Sequence, residues 1–132
     1  MDELLVSKET QNSLRIYVFE DDPGVISDLR FNVENFWGHK IVGVASTIEK
    51  AKFVIPSLGN LGVQAAIIDA NLSGLKHTGH GTQICKLIKE QHPNINLVGY
   101  GAEAFSGADY WVGKASGPKV LEDTLSKISS SI

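Results

Sequence analysis

The 132-residue sequence contains one cysteine, Cys85, and no apolar stretch long enough to cross a membrane. A single cysteine excludes an internal disulfide and is typical of a protein in a reducing compartment. Its place in an apolar helical pattern predicts a buried, unreactive thiol. The N-terminal residues show no basic region followed by an apolar run, so no secretory signal is predicted. We therefore expect a cytoplasmic protein.

Charge is balanced and spread along the chain. Lys and Arg number 12 and Asp and Glu number 15, which gives a formal net charge of −3. Because there is no basic patch, we expect neither a nucleic acid nor a membrane as a partner. The hydrophobic fraction of 42% is typical of a folded globular chain. We expect one domain over residues 14–130, preceded by a polar N-terminal leader over residues 1–13.

Apolar segments of strand length alternate with segments of helical periodicity. Strands are predicted at 14–19, 40–45, 65–68, 95–100 and 110–113. Helices are predicted from Pro23 to about Phe36, after a cap at Ser46 or Thr47, around Ile84–Ile88, and from Pro118 onward. This order predicts an α/β fold, a doubly wound five-stranded parallel sheet with helices on both faces.

Acidic residues follow two of the predicted strands. The first strand ends in Glu20, Asp21 and Asp22, and the apolar strand Ala65–Ile68 ends in Asp69. In open α/β sheets, ligands bind at the carboxyl ends of the strands. If the two strands are parallel neighbours, their carboxylates meet at one edge and repel one another unless a hard cation lies between them. The sequence therefore predicts a magnesium-dependent acidic pocket.

Two connections differ in length from those typical of this fold. The mostly polar stretch Leu72–Gly81, with three glycines and two histidines, is long for a strand-to-helix loop and suggests an insertion beside the site. Only Ala102–Gly113 separates strand four from Lys114, and strand five uses about five of these residues. Too few remain for a helix with its two loops. We therefore expect helix four to be reduced to a turn or replaced by a loop.

Together these motifs resemble the receiver domain of two-component response regulators, in its chemotaxis-type stand-alone form. The resemblance implies that Asp69 is phosphorylated and that Glu20 and Asp21 hold Mg²⁺ with it. Asn71 would give a backbone carbonyl to the metal, and Lys114, after strand five, would bind the phosphoryl group. The implied fold is flavodoxin-like, with the parallel strands in the order 2-1-3-4-5. The chemistry is coherent, since a carboxylate attacks a phosphoryl donor only when the donor's charge is neutralised.

The sequence also departs from the family's pattern. Gly101 stands at the end of strand four, where the family usually has the Thr or Ser whose hydroxyl turns toward the phosphate. Tyr100 is adjacent, but strand alternation directs it to the other face of the sheet. The family's switch aromatic corresponds to Trp111, which is equally well interpreted as a core tryptophan. Ala115 follows the lysine in place of the family's common proline.

The missing helix and the missing hydroxyl both lie where the family carries its signal to partners. We hypothesise that output has moved to the loop Leu72–Gly81 and the third helix. The same loop offers another use, metal binding by His77 and His80, although two histidines without carboxylate or cysteine partners are more often solvated loop residues.

Three functions are compatible with the sequence. The first is a receiver, not an enzyme in its own right, which takes a phosphoryl group from a histidine kinase, a phosphotransfer protein or a small phosphodonor and signals by contact with a downstream protein. The second is a pseudo-receiver that binds proteins independently of phosphorylation. The third is an aspartyl-phosphate phosphatase of the haloacid-dehalogenase type, which is disfavoured because Asn71 stands where a second acid is needed. The oligomeric state is open.

Overall fold

The computed structural model describes residues 13–132, so the predicted leader, residues 1–13, lies outside the described chain except for Ser13. Strands alternate with helices from Arg15 to the last helix. The strands are β1 (Arg15–Phe19), β2 (Lys40–Ala45), β3 (Ala65–Ile68), β4 (Asn96–Gly101) and β5 (Tyr110–Gly113). The α-helices are α1 (Pro23–Arg30), α2 (Ile48–Val54), α3 (His80–Gln91) and α4 (Pro118–Ser130).

The strands form one parallel sheet in the order β2-β1-β3-β4-β5. The predicted flavodoxin-like α/β fold is therefore confirmed. Phe19 of β1 is in register with Ile68 of β3, and Gly101 of β4 with Gly113 of β5. Because the strands are parallel, the residues that follow Phe19, Ile68 and Gly113 all emerge at the same edge of the sheet.

Each face of the sheet carries its own hydrophobic core. One core packs α2 and α3 against the sheet through residues such as Phe19, Ala51, Ile68 and Ile88. The other packs α1 and α4 through residues such as Val18, Leu29, Val98 and Leu125. β3 is buried along its whole length, which is the reason for its unbroken apolar sequence. Cys85 is buried in the first core, as predicted, and burial raises the pKa of its thiol to about 12.

The first helix begins as predicted but ends differently. Oδ1 of Asp22 accepts hydrogen bonds from the amides of Gly24 and Val25, and Pro23 occupies the first helical position. After Arg30 the chain continues as a π-helix over Phe31–Phe36, not as the α-helix that was predicted to run to about Phe36. Wider π turns change the angular spacing of the side chains, and Phe36 is 66% exposed.

No helix lies between β4 and β5, so the expectation for helix four is confirmed as a loop over residues 102–109. Asp109 fixes the end of this loop. Its carboxylate accepts a hydrogen bond from the amide of Leu97 at 2.7 Å and pairs with Nζ of Lys89 on α3 at 2.6 Å. The loop is thereby held against the helix that precedes β4.

Other boundaries differ from the predicted ones by a residue or two. β1 and β4 each begin one residue later than expected, and α3 begins at His80, inside the stretch that was predicted to be loop. Thr47, one of the two predicted caps, is the N-cap of α2 and accepts a hydrogen bond from the amide of Lys50. No helix among residues 13–132 has the length and apolar character of a membrane span.

Candidate functional site

Three carboxylates meet at the carboxyl edge of the sheet. Glu20 and Asp21 follow β1, and Asp69 follows β3, the strand beside it. One carboxylate oxygen from each of the three lies within 4.8 Å of the others. Asp21 and Asp69 border a cavity of about 600 Å³ whose lining also includes Asn71 and Lys114. The structure therefore brings together the residues that the sequence predicted for the site.

Glu20 is the most buried of these carboxyl groups, with an exposed fraction of 2%. Its Oε1 lies 3.0 Å from Nζ of Lys114, and its Oε2 accepts a hydrogen bond from the amide of Asp22 at 3.2 Å. The pKa of Glu20 is raised from 4.5 to about 7, because burial and the charge of Asp69 together outweigh the opposing effect of Lys114. Without a cation, this carboxylate is thus costly to ionise.

Asp69 and Lys114 form a second contact at the centre of the site. Nζ of Lys114 lies 3.5 Å from Oδ1 of Asp69, and the same oxygen accepts a hydrogen bond from the amide of Ala70 at 2.9 Å. Burial raises the pKa of Asp69, although Lys114 and the Ala70 amide act against it. Burial alone would lower the pKa of Lys114, but Glu20 and Asp69 outweigh it and the pKa is raised. The ammonium is therefore held in its charged form between two acids.

Asp21 and Asn71 connect the site to the loop between β3 and α3, residues 69–79. Oδ2 of Asp21 accepts a hydrogen bond from the amide of Gly74 at 2.6 Å. The side-chain oxygen of Asn71 accepts two bonds from Thr78, from its amide and from its hydroxyl, each at 2.8 Å. The amide side chain of Asn71 is thus engaged within the loop, and the role of its backbone carbonyl stays a prediction.

The donor set fits a hard divalent cation. Clustered carboxylate oxygens are the ligands that Mg²⁺ prefers, and a raised pKa at Glu20 and Asp69 is the mark of negative charges that lack sufficient compensation. Lys114 supplies one positive charge to the cluster. A divalent cation at Glu20, Asp21 and Asp69 would supply the remaining positive charge that the three carboxylates need.

Gly101 lies directly beside Asp69. A Cβ atom added at Gly101 would lie 2.8 Å from Oδ1 of Asp69, closer than real Cβ contacts. The Asp69 carboxylate therefore occupies the volume in which the family's hydroxyl-bearing side chain would begin. A side chain at this position would require the carboxylate or the strand to shift.

Trp111 lies across β4, in the region where the family has a helix. Its ring would be 2.8 Å from a Cβ at Gly99 and 3.6 Å from one at Gly101, so it rests on the two glycines. Phe105 packs edge-on against it, with ring centroids 5.7 Å apart. Trp111 remains 40% exposed, so it is not a fully buried core tryptophan, and its switch role stays a prediction.

The two loop histidines are not brought together as ligands. Nδ1 of His77 lies 3.2 Å from Oε2 of Glu103 in the loop between β4 and β5, whereas Nδ1 of His80 accepts a hydrogen bond from the amide of Leu72. Among residues 13–132, the acidic cluster is the only group of three or more candidate metal ligands. Metal binding by His77 and His80 is therefore not supported.

Two contacts at the site were not predicted from the sequence. The ring of Tyr100 lies 5.9 Å from Nζ of Lys114, which adds a cation–π contact, and Gly74 donates to Asp21. Tyr100 packs against the core that contains α1 and α4, on the face of the sheet that strand alternation predicted. Its ring is nevertheless close enough for Nζ of Lys114 to contact it. The Gly74 contact joins residues 53 positions apart, and no sequence pattern signals such a pair.

No model of a protein family and no curated protein sequence matches the chain. The chain does match solved structures. A LuxR-family two-component response regulator from Aurantimonas sp. SI85-9A1 is 19% identical with a TM-score of 0.74, over 91% of this chain and 87% of that one. The isolated receiver domain of RcsB from Salmonella enterica serovar Typhimurium is 20% identical with a TM-score of 0.70, over 86% of each chain.

The anti-anti-sigma factor PhyR from Bartonella quintana is 18% identical with a TM-score of 0.72 over 97% of this chain. The chain spans about half of PhyR, 52% of its length. Identities this low establish the fold and not the function. The chain therefore has the fold of response regulator receiver domains.

Proposed function

We propose that this chain is a phospho-accepting receiver of a two-component or phosphorelay system, in which Asp69 takes a phosphoryl group in the presence of Mg²⁺. The observation that supports this most strongly is the convergence of Glu20, Asp21, Asp69 and Lys114 at one edge of a receiver-type sheet.

Asp69 is the nucleophile in this proposal. One carboxylate oxygen attacks the phosphorus of a phosphohistidine or an acyl phosphate, the bond from phosphorus to the donor's leaving group breaks, and an aspartyl phosphate forms. Oδ1 is held by Ala70 and Lys114, while Oδ2 accepts no hydrogen bond among residues 13–132. The carboxylate is therefore fixed by one oxygen and presents the other.

The positive charge at the site comes from two sources. A Mg²⁺ ion held by Glu20, Asp21 and Asp69 would neutralise the donor's phosphoryl oxygens. Nζ of Lys114, 3.5 Å from Asp69, is placed to balance the charge that the new phosphate adds. The chain's own chemistry is limited to its phosphorylation and dephosphorylation, so we propose a signalling protein and not an enzyme.

Incubation with acetyl phosphate and Mg²⁺, followed by intact mass, tests this function. We expect a mass increase of one phosphoryl group that disappears on addition of a chelator and in Asp69→Asn. Asp28→Asn is the matched control, because Asp28 is an exposed aspartate on α1. Phosphorylation of Asp69→Asn to the wild-type extent would contradict the assignment of the phosphoacceptor.

A second candidate is a pseudo-receiver that binds proteins without phosphorylation. Gly101 and the loop in place of a helix support it, since both remove parts of the family's switch. A neighbour in fold is itself described as an anti-anti-sigma factor. A folded protein that binds no Mg²⁺ and accepts no phosphoryl group would favour this candidate.

The proposed partners follow from the proposed function. They are a histidine kinase or phosphotransfer protein as donor and a downstream protein as target, with the chain acting in the cytoplasm. We predict binding to neither nucleic acid nor membrane, because the net charge is −3 and no basic patch is present in the sequence.

A further inference from the structure

The loop between β3 and α3 is anchored to one of the acidic residues of the site. The amide of Gly74 donates to Oδ2 of Asp21 at 2.6 Å. Hydrogen bonds from amides to carboxylates are among the stronger ones in proteins. The other oxygen, Oδ1, accepts no hydrogen bond within the described part of the chain, so one carboxylate can serve the loop and a cation at the same time.

A strained turn directs this amide at Asp21. Ser73 and Gly74 both have positive φ, 63° and 70°. Such a φ is unfavourable for serine, and two hydrogen bonds compensate for it. The amide of Ser73 donates to the carbonyl of Ser46 at 3.2 Å, and its hydroxyl accepts from the amide of Ile48 at 3.3 Å.

The far end of the loop is fixed as well. Thr78 donates twice to Asn71, and His77, whose φ is 53°, pairs with Glu103 across the cavity. The loop thus spans the cavity between Asp21 on one side and Glu103 on the other. Leu75, at the outer part of the loop, is exposed.

We propose that cation binding at the acidic cluster and the ordered conformation of this loop stabilise each other through Asp21. The inference rests on the proposed function, because it requires that Glu20, Asp21 and Asp69 bind a divalent cation. A cation that holds Asp21 against the cluster also fixes the acceptor of the Gly74 amide. By linkage, the factor by which the cation favours the ordered loop equals the factor by which the ordered loop raises the affinity for the cation, so a variant that disorders the loop binds the cation more weakly.

Gly74→Ala tests the coupling without altering any proposed ligand. An added Cβ at Gly74 meets no atom within 4 Å, so the substitution acts only through the positive φ that alanine resists. Gly38→Ala is a closely matched control, because Gly38 has a φ of 76°, equally open surroundings and a position after the π-helix, away from the acidic cluster.

Two measurements decide the outcome. In Mg²⁺ titrations by calorimetry, we expect Gly74→Ala to lower the affinity about fivefold, the lower end of the range for coupled sites, and Gly38→Ala to leave it unchanged. In hydrogen exchange of the wild-type protein, we expect Mg²⁺ to slow exchange of the Gly74 amide by a similar factor. The amide of Gly62, which donates to the carbonyl of Gly59 in the turn before β3, should not respond.

The possible failures are distinguishable. If Mg²⁺ binds and Asp69 is phosphorylated, but Gly74→Ala keeps the wild-type affinity or the loop amides ignore Mg²⁺, the coupling is refuted and the proposed function stands. If Mg²⁺ does not bind to the folded protein at all, both the coupling and the metal-dependent receiver function are refuted.

Discussion

The two loops that flank Asp69 differ in opposite ways from the connections typical of an α/β fold. On the β3 side, residues 69–79 form a long loop that is tied to the site through Asp21 and to α2 through Ser73. On the β4 side, residues 102–109 replace a helix, and Gly101 offers no hydroxyl to the carboxylate. Compared with connections typical of α/β units, the β4 side, which has no helix before β5, is the reduced flank, and the β3 side is the enlarged flank, linked to the proposed metal site.

The two flanks also differ in whether a polar contact connects them to the acidic residues of the site. On the reduced flank, Trp111 lies on Gly99 and Gly101 and no polar side chain of β4 reaches the carboxylate. On the enlarged flank, a hydrogen bond leads from Asp21 into the loop. This hydrogen bond agrees with the hypothesis of output through the loop and α3, which stays a prediction. Loop substitutions, for example at the exposed Leu75, that left binding of the downstream partner untouched would refute it.

The largest predicted effect concerns Lys114, which lies between the two flanks. Lys114→Ala removes the ammonium that contacts Glu20 and Asp69, and we expect phosphorylation by acetyl phosphate to slow about 100-fold. Lys127→Ala is the control, because Nζ of Lys127 also lies 5.9 Å from a tyrosine ring, that of Tyr110, but away from the site. Equal rates for the two variants would remove Lys114 from the proposed chemistry.

Gly101→Ala tests the reduced flank. The new Cβ would lie 2.8 Å from Oδ1 of Asp69, so either β4 or the carboxylate must move. We expect a loss of about 2 kcal/mol in the free energy of unfolding, measured with urea, together with slower phosphorylation. At Gly59 the new Cβ would make an ordinary contact of 3.5 Å with His92, so Gly59→Ala serves as control. Faster phosphorylation of Gly101→Ala would show that the glycine is not there to make room.

Glu20 makes the metal-free protein less stable as pH rises. Its pKa is raised from 4.5 to about 7 in the fold, so its contribution to the free energy of unfolding is complete below pH 4.5 and is lost as pH rises to about 7. We expect a loss on the order of 1–2 kcal/mol over this interval, read from urea unfolding. Glu20→Gln should flatten the profile, whereas Glu90→Gln, at an exposed position, should not. An unchanged profile in Glu20→Gln would contradict the raised pKa.

Asp109→Ala has the smallest predicted effect. It leaves the amide of Leu97 without its side-chain acceptor and releases Lys89, and we expect a loss of about 1 kcal/mol in the free energy of unfolding. Asp123→Ala removes an exposed pair with Lys119 and should cost less. If Asp109→Ala is as mild as the control, the loop over residues 102–109 is held by other contacts.

The sequence was sufficient for the fold and for the convergence of the candidate site residues, because both depend on local patterns. Apolar runs mark the strands, and Asp69 and Lys114 directly follow strand ends, whose meeting point is set by the parallel topology. The π-helix at Phe31–Phe36 was missed because Val33 and Phe36 continue the helical spacing of the apolar residues, although Phe36 is exposed in the structure. The contact of Gly74 with Asp21, and the close approach of Gly101 to Asp69, depend on distances between segments far apart in sequence.

The most direct test of the central claim is to locate the phosphoryl group chemically. The protein is treated with acetyl phosphate and Mg²⁺, and borohydride then reduces any aspartyl phosphate to homoserine, which peptide mass mapping identifies. We predict homoserine at Asp69, and none there when Mg²⁺ is chelated or acetyl phosphate is omitted. A folded protein with no homoserine at Asp69 under these conditions would contradict the phospho-accepting function and leave a phosphorylation-independent protein-binding module as the better account.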